Sequence, residues 1–270
     1  MNRRSIHHRA GTDMKITAFN GSPRAEDGNT FIIVESFLQG AQEAGARVEH
    51  IMLAKQRIRH CLGLYACFAE TPGACILRDD MDILIPKLLA SDIIILATPL
   101  FMDAMTGIMK TFLDRLRPLI DPHFEKDEQG ESRYRNRYSR YPGIIVISSA
   151  SYPEQTHFDI MKLLFRRIAR TFHTEVLGEI YRGSAELLKY PPLVLRIPVD
   201  KYKNVVRIAG REMVQYHHFS DKTRAELERP MVPLEQYSTS ANRMWDKITE
   251  RIKQPNNVPP NNNQPEKPQQ

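Results

Sequence analysis

The chain reads as a doubly wound α/β protein built on five parallel strands. Two observations carry this. Five apolar, strand-like runs alternate with helix-periodic segments between residues 15 and 216. The longest run, residues 93–102, is apolar almost throughout, as in strands buried on both faces. It is about half the length of a membrane span and contains Pro99, so it reads as a buried strand. The 270 residues, 41% of them hydrophobic, suffice for one large core.

Each element follows from its pattern. Residues 15–20 form strand one, and residues 30–44 a helix with Phe31, Val34, Leu38 and Ala41 on one face. Gly45 is placed to end that helix. Residues 48–53 form strand two. Asp80 opens a helix through Ile83, Leu84, Leu88 and Leu89, and residues 93–98 form strand three. Asp103 reads as the N-cap of a helix bearing Met105, Ile108, Met109, Phe112 and Leu116. Residues 144–148 form strand four and residues 158–172 a helix with Met161, Leu164, Phe165 and Ile168 inward. Strand five spans residues 176–181, followed by a helix over 202–216. A last amphipathic helix over 241–252 carries Met244, Trp245 and Ile248. No internal repeat is present.

This divides the chain into a flexible leader (1–13), a main domain (14–218), a helical C-terminal extension (219–253) and a disordered tail (254–270). The tail holds five prolines and almost no apolar side chains. The formal charge of +6 is concentrated in two places. Arg3, Arg4 and Arg9 against Asp13 leave +2, and Arg133, Arg135, Arg137 and Arg140 supply +4. The remainder is neutral, so no nucleic-acid partner is expected. Residues 121–141 read as a loop longer than most connections. An anion-binding role and an arm packed on a second subunit stay open for it. No apolar stretch follows the basic start, and the three cysteines cluster, which points to a reducing, cytoplasmic setting and no membrane partner. His123, His157 and His173 lack metal-type spacing.

Strand one runs into Asn20-Gly21-Ser22-Pro23-Arg24, and helix one starts at Gly28-Asn29-Thr30. A glycine-bearing loop there gathers backbone N–H groups and the positive helix end at one point, a phosphate-binding arrangement. Ser22, Asn29 and Thr30 can add hydrogen bonds and Arg24 charge. Neither G-x-G-x-x-G nor Gly-Lys-[Ser/Thr] occurs, so dinucleotide and Walker loops are not indicated. An ordinary strand–helix turn is the competing reading.

These residues resemble the phosphate loop of the NADPH-dependent FMN reductase family, whose fold is flavodoxin-like. Thr98-Pro99-Leu100-Phe101-Met102-Asp103, then Met105-Thr106-Gly107 and Lys110 to Arg115, resemble the family's second signature, with Phe101 where the family usually has Tyr. Weaker similarity runs through Asp121-Pro122, Ser149 to Pro153, Arg229-Pro230 and Trp245-Asp246. The resemblance implies a sheet order of 2-1-3-4-5 and FMN as cofactor, with NADPH or NADH as co-substrate. It implies that Ser22, Arg24, Asn29 and Thr30 hold the FMN phosphate. Pro99, Leu100, Phe101 and Met102 would line the ribityl chain and ring, and Ser149, Ala150, Ser151 and Tyr152 the ring's polar edge. No catalytic side chain is implied, because the reactive atom, N5, belongs to the flavin. The implied activity is ping-pong hydride transfer from NAD(P)H to a flavin, quinone or other small-molecule electron acceptor, by a homodimer or homotetramer. The alternative is an electron-transfer flavoprotein serving a protein partner.

Cys61-Leu62-Gly63-Leu64-Tyr65-Ala66-Cys67, followed by Cys75, is similar to the cysteine segment of iron–sulfur flavoproteins, a branch of the same family. A four-iron cluster takes four thiolates. Leu64 stands at the middle position of that motif and no fourth cysteine exists. A cluster on Cys61, Cys67 and Cys75 is therefore not the expectation; inert thiols and a structural or redox-active thiol group both stay open.

Overall fold

The computed structural model describes residues 14–253. The leader read over 1–13 and the tail read over 254–270 lie outside them. In chain order the elements are β1 (Lys15–Asn20), α1 (Asn29–Glu43), β2 (Arg47–Met52), α2 (Ala66–Ala69), α3 (Met81–Leu89), β3 (Ile93–Pro99) and α4 (Gly107–Asp114). There follow β4 (Ile120–Lys126), β5 (Ser132–Asn136), β6 (Gly143–Ser149), α5 (Asp159–Thr171), β7 (Val176–Arg182), α6 (Arg196–Tyr216), α7 (Asp221–Glu228) and α8 (Leu234–Lys253).

Five strands form one parallel sheet in the order β2-β1-β3-β6-β7. This is the expected flavodoxin-like order, counted over the sheet's own strands. Strand periodicity of two assigns the faces. Ile93, Ile95 and Ala97 of β3 pack with α1 and α6, while Ile94 and Leu96 pack with α3, α4 and α5. Removing each such Ile or Leu from water contributes about 1.5–3 kcal/mol. On the first face α1 and α6 touch backbone to backbone. A Cβ on Gly40 would meet the Arg207 carbonyl, and one on Gly210 the Phe37 carbonyl. Gly45 (φ +97°) ends the run after α1 as expected, the Ala46 N–H returning to the Ala41 carbonyl at 3.1 Å.

Three expectations change. Thr106, not Asp103, caps α4, its hydroxyl accepting from the Met109 N–H at 3.2 Å. The stretch read as a long loop is an antiparallel hairpin, β4 on β5, with a bulge between Asp121 and Phe124 and its turn at Gly130 (φ +77°). And α6 starts at Arg196 and α8 at Leu234, six and seven residues before the expected 202 and 241. The first compact unit reaches Met231. Phe219 is buried in it beside Phe37, and Arg182 donates to the carbonyls of Leu227 and Arg229. A second unit starts at Val232. It contains α8, a single amphipathic helix in which Thr249 Oγ1 donates to the Trp245 carbonyl at 3.0 Å. Among the described residues no helix is long and apolar enough to cross a membrane.

Candidate functional site

The chain leaves β1 through Gly21 and Ser22, both buried. The Gly21 N–H donates to the Ala97 carbonyl of β3 at 2.7 Å, and the Gly21 carbonyl accepts from Thr106 Oγ1 at 2.7 Å. The loop is thus clamped between β3 and the start of α4. A side chain at 21 has no room, since a Cβ would lie 2.7 Å from that of Met109. The Ser22 N–H donates to Asn20 Oδ1 at 2.9 Å, and the Arg24 N–H to Ser22 Oγ at 3.3 Å. A 3-10 turn over Ala25–Asp27 leads to Gly28, whose absent Cβ would stand 2.5 Å from Ser22 Oγ. Helix α1 then begins with no side-chain cap and no acid in its first turn. Its positive end faces a cradle of hydroxyls, which suits an anion. The nearby acids are drawn off by lysines. The Lys55 ammonium holds the Glu26 carboxyl below its usual range, and that of Lys189 does the same for Asp27.

The ends of β3 and β6 close on this loop. Thr30 Oγ1, buried at the start of α1, lies 2.7 Å from Ser149 Oγ at the end of β6. Pro99 pairs in register with Ser149, and the Leu100 N–H donates to the Ser149 carbonyl at 2.8 Å. Phe101 and Ala104 then exchange backbone hydrogen bonds of 2.9 and 3.0 Å around Met102 (φ +47°) and Asp103 (φ +59°). Both turn residues are left-handed, as in the tightest hairpin turns, although neither is glycine. The turn holds Phe101 51% and Met102 98% exposed, so neither belongs to the core. Beyond Ser149, Ala150 is buried and uses both its backbone groups inside the fold, with Arg182 and Ala185. Ser151 donates to Glu186, and the Tyr152 ring stacks on His157 with centroids 4.1 Å apart.

The expected contact residues thus lie at the carboxyl ends of β1, β3 and β6, on the loops that follow them and on the first turn of α1, tied by Thr30, Leu100 and Ser149. Arg24 is exposed and Asn29 half-buried at the mouth. Sequence reasoning missed the supports of the loop, Asn20, Thr106 and Thr98, whose hydroxyl accepts the Thr106 N–H at 3.1 Å. A threonine directly before the helical repeat at Gly107 was the available signal for Thr106.

The basic run lies elsewhere. Arg140 pairs at 2.6 Å with Asp92, which also accepts the Lys15 N–H at 2.8 Å, so it sits at the amino ends of β3 and β1. Arg137 donates to the carbonyls of Pro118 and Ile120, and Arg133 pairs with Glu125 at 2.9 Å. Above this hairpin runs the cysteine loop. The buried Arg115 guanidinium holds it by Asp79 (2.6 Å) and the Arg59 carbonyl (2.7 Å). Burial would raise the Asp79 carboxyl, but the bonds from Arg115 and from the Arg59 and Met81 N–H groups hold it below its usual range. Cys61, Cys67 and Cys75 line one pocket with Arg117, and burial pushes the Cys67 thiol up. Among the described residues no three His, Cys, Asp or Glu side chains converge as metal ligands. His60 is engaged with Thr111 Oγ1 at 3.0 Å. With three cysteines in the chain, this donor set does not fit a four-thiolate cluster.

The sequence model of the family described as NADPH-dependent FMN reductase matches residues 14–155, a span that contains all three loops. An iron-sulfur flavoprotein of Methanocaldococcus jannaschii is 37% identical over 106 residues, 39% of this chain and 53% of that protein. The YwqN protein of Bacillus subtilis, whose given name proposes an NAD(P)H-dependent FMN-containing oxidoreductase, is 34% identical over 123 residues, 43% of this chain and 60% of that one. The chain spans about half the length of the curated relatives it matches. A solved FMN-dependent NADH-azoreductase from Bacillus anthracis, in complex with FMN, shares the fold. Its TM-score is 0.51 at 14% identity, over 75% of this chain and 100% of that one.

Proposed function

The chain belongs to the NADPH-dependent FMN reductase family, and from that premise we propose that it is an FMN-dependent NAD(P)H oxidoreductase acting on a flavin, quinone or other small acceptor. The observation that carries this reading is the convergence of a hydroxyl-lined helix start and two exposed hydrophobic tips at the carboxyl ends of β1, β3 and β6. That is the ligand-binding end of a doubly wound sheet. The residues fit FMN, because the start of α1 carries no side-chain cap and no acid in its first turn, and the Ser22 and Thr30 hydroxyls stand on either side of it. Ser22, Asn29 and Thr30 would donate to the phosphate and Arg24 would neutralise it. Pro99, Leu100, Phe101 and Met102 would flank the ring and keep water from it, and Ser149, Ala150, Ser151 and Tyr152 would meet its polar edge. Bound FMN supplies hydride acceptance from NAD(P)H and electron delivery to the acceptor, in ping-pong order. No side chain need move a proton. We take the working form to be a cytoplasmic homodimer or homotetramer, in which a second copy covers the tips at Phe101 and Met102.

The test is the visible spectrum of FMN-reconstituted protein, followed by NADPH or NADH without oxygen. Rapid bleaching is expected. Bound flavin that stays oxidised would favour the carrier reading, which the iron-sulfur flavoprotein relatives keep in view. No bound flavin would overturn both.

A further inference from the structure

We infer that His50, held by Glu35, is a positioning residue for the phosphate loop, orienting the Asn20 amide that receives the Ser22 N–H. The inference rests on the reading of that loop as the FMN-phosphate site. It follows from donor and acceptor roles that leave no choice. A backbone N–H only donates, so the atom 2.9 Å from the Ser22 nitrogen is the Asn20 oxygen. The Asn20 NH2 group therefore points the other way, to His50 Nε2 at 3.2 Å. An NH2 group also only donates, so Nε2 carries no proton. The neutral ring must then be protonated on Nδ1, which lies 2.5 Å from Glu35 Oε1. One chain of bonds runs from Glu35 on α1, through β2 and the end of β1, into the loop.

The surroundings keep this ring neutral and still. The His50 side chain is 8% exposed, and its ring stacks on Phe31 with centroids 5.1 Å apart. The charged groups that face it are Glu35 from α1 and, further off, Glu26 from the 3-10 turn, itself paired with Lys55. Its neighbour across the sheet on β1 is Ala18, without charge. Burial lowers the ring's pKa below the ordinary histidine value, against the pull of Glu35.

A proton on Nε2 would set N–H against N–H at Asn20. Either the Asn20–His50 bond breaks, or the amide turns over and presents its NH2 group to the Ser22 N–H. In both cases the loop loses a hydrogen bond below the Ser22 hydroxyl, and phosphate binding weakens.

FMN titrated into the protein by quenching of flavin fluorescence, from pH 7.5 to 5.5, tests this with wild type, His50→Gln and His50→Ala. The FMN phosphate itself titrates near pH 6, equally for all three, so the ratio of affinities is read. His50→Gln can still accept from Asn20 but does not titrate. It should match wild type at pH 7.5 and bind increasingly tighter than wild type as the pH falls toward 5.5 and the wild-type ring takes up its proton, by at most about tenfold, the limit one hydrogen bond supplies. His50→Ala should bind more weakly than wild type at pH 7.5. In nitrogen-15 NMR of flavin-free wild type, the Ser22 amide signal should follow the His50 ring titration. That measurement decides alone if the variants do not fold. Equal pH dependence in wild type and His50→Gln would overturn the inference. So would tighter wild-type binding at low pH, as a simple cation near phosphate would give, or a Ser22 signal that ignores the ring. A Ser22 signal that follows the ring, with no FMN binding by any variant, would instead sink the flavin reading and leave the His50 relay standing.

Discussion

The loops at the carboxyl ends of the strands and the flank formed by the cysteine loop and hairpin are both polar, but they are built differently. The carboxyl-end loops use hydroxyls and backbone amides, such as Thr30 with Ser149 and Thr106 with Gly21, and hold their apolar tips out at Phe101 and Met102. The flank uses guanidinium groups closed on carboxylates and carbonyls: Arg115 on Asp79, Arg140 on Asp92, Arg170 on Asp127. Aromatic contacts complete it, with Phe68 on Tyr134 and Tyr134 on Phe124. Arginines engaged this way brace the fold, whereas small hydroxyls around a helix start leave room for a ligand.

The contrast can be broken in order of expected effect. Arg115→Met leaves a buried Asp79 carboxylate without its cation and should cost about 3–5 kcal/mol in urea unfolding. The same pair sets an acid limit. Because the folded Asp79 pKa lies below its unfolded value, its contribution is complete above about pH 4 and disappears as pH falls through the folded value. Wild type should lose stability across that window and Arg115→Met should lose less; parallel acid profiles would remove the pair from the account.

In the other region, Arg24→Ala with Thr30→Ala should raise the FMN dissociation constant by about tenfold or more, with the urea midpoint little changed. Unchanged FMN affinity would refute the phosphate-loop assignment. Gly28→Ala pushes a methyl against Ser22 Oγ and should weaken FMN by several-fold, while a tighter-binding variant would show that the cradle is not the contact. The smallest effect is predicted for neutralising Arg133, Arg135, Arg137 and Arg140 together. Stability should fall by about 1 kcal/mol or less per ion pair, and KM for NADPH should stay within about twofold, since Arg140 sits at the amino ends of β3 and β1 and Arg133 and Arg137 are engaged within the hairpin and its entry. A large rise in KM would reverse that placement.

Legibility followed the range of the signal. Strands β1, β3 and β6 were visible because unbroken apolar runs suit a strand buried on both faces. The hairpin was not, because its apolar face is only Phe124 on Tyr134, interrupted by a bulge and set among Pro122, Glu125, Lys126, Arg133 and Arg135, too short for a period-two signal. It is fastened to α5 by Arg170 with Asp127 and Arg167 with Glu131. The N-cap of α4 was misplaced for a related reason. Asp103 and Thr106 are both good caps, and the choice fell to a tight turn that consumes Asp103.

By itself the sequence determined the five sheet strands, most of their helices, and which loops carry glycine and hydroxyl side chains, because hydropathy period and backbone propensity act over a few residues. Only the tertiary structure decided which distant groups meet. Thr30 finds Ser149 across 119 positions, Asn20 finds His50 across 30, and Arg140 finds Asp92 across 48. Those meetings depend on strand order and register, which no local pattern encodes.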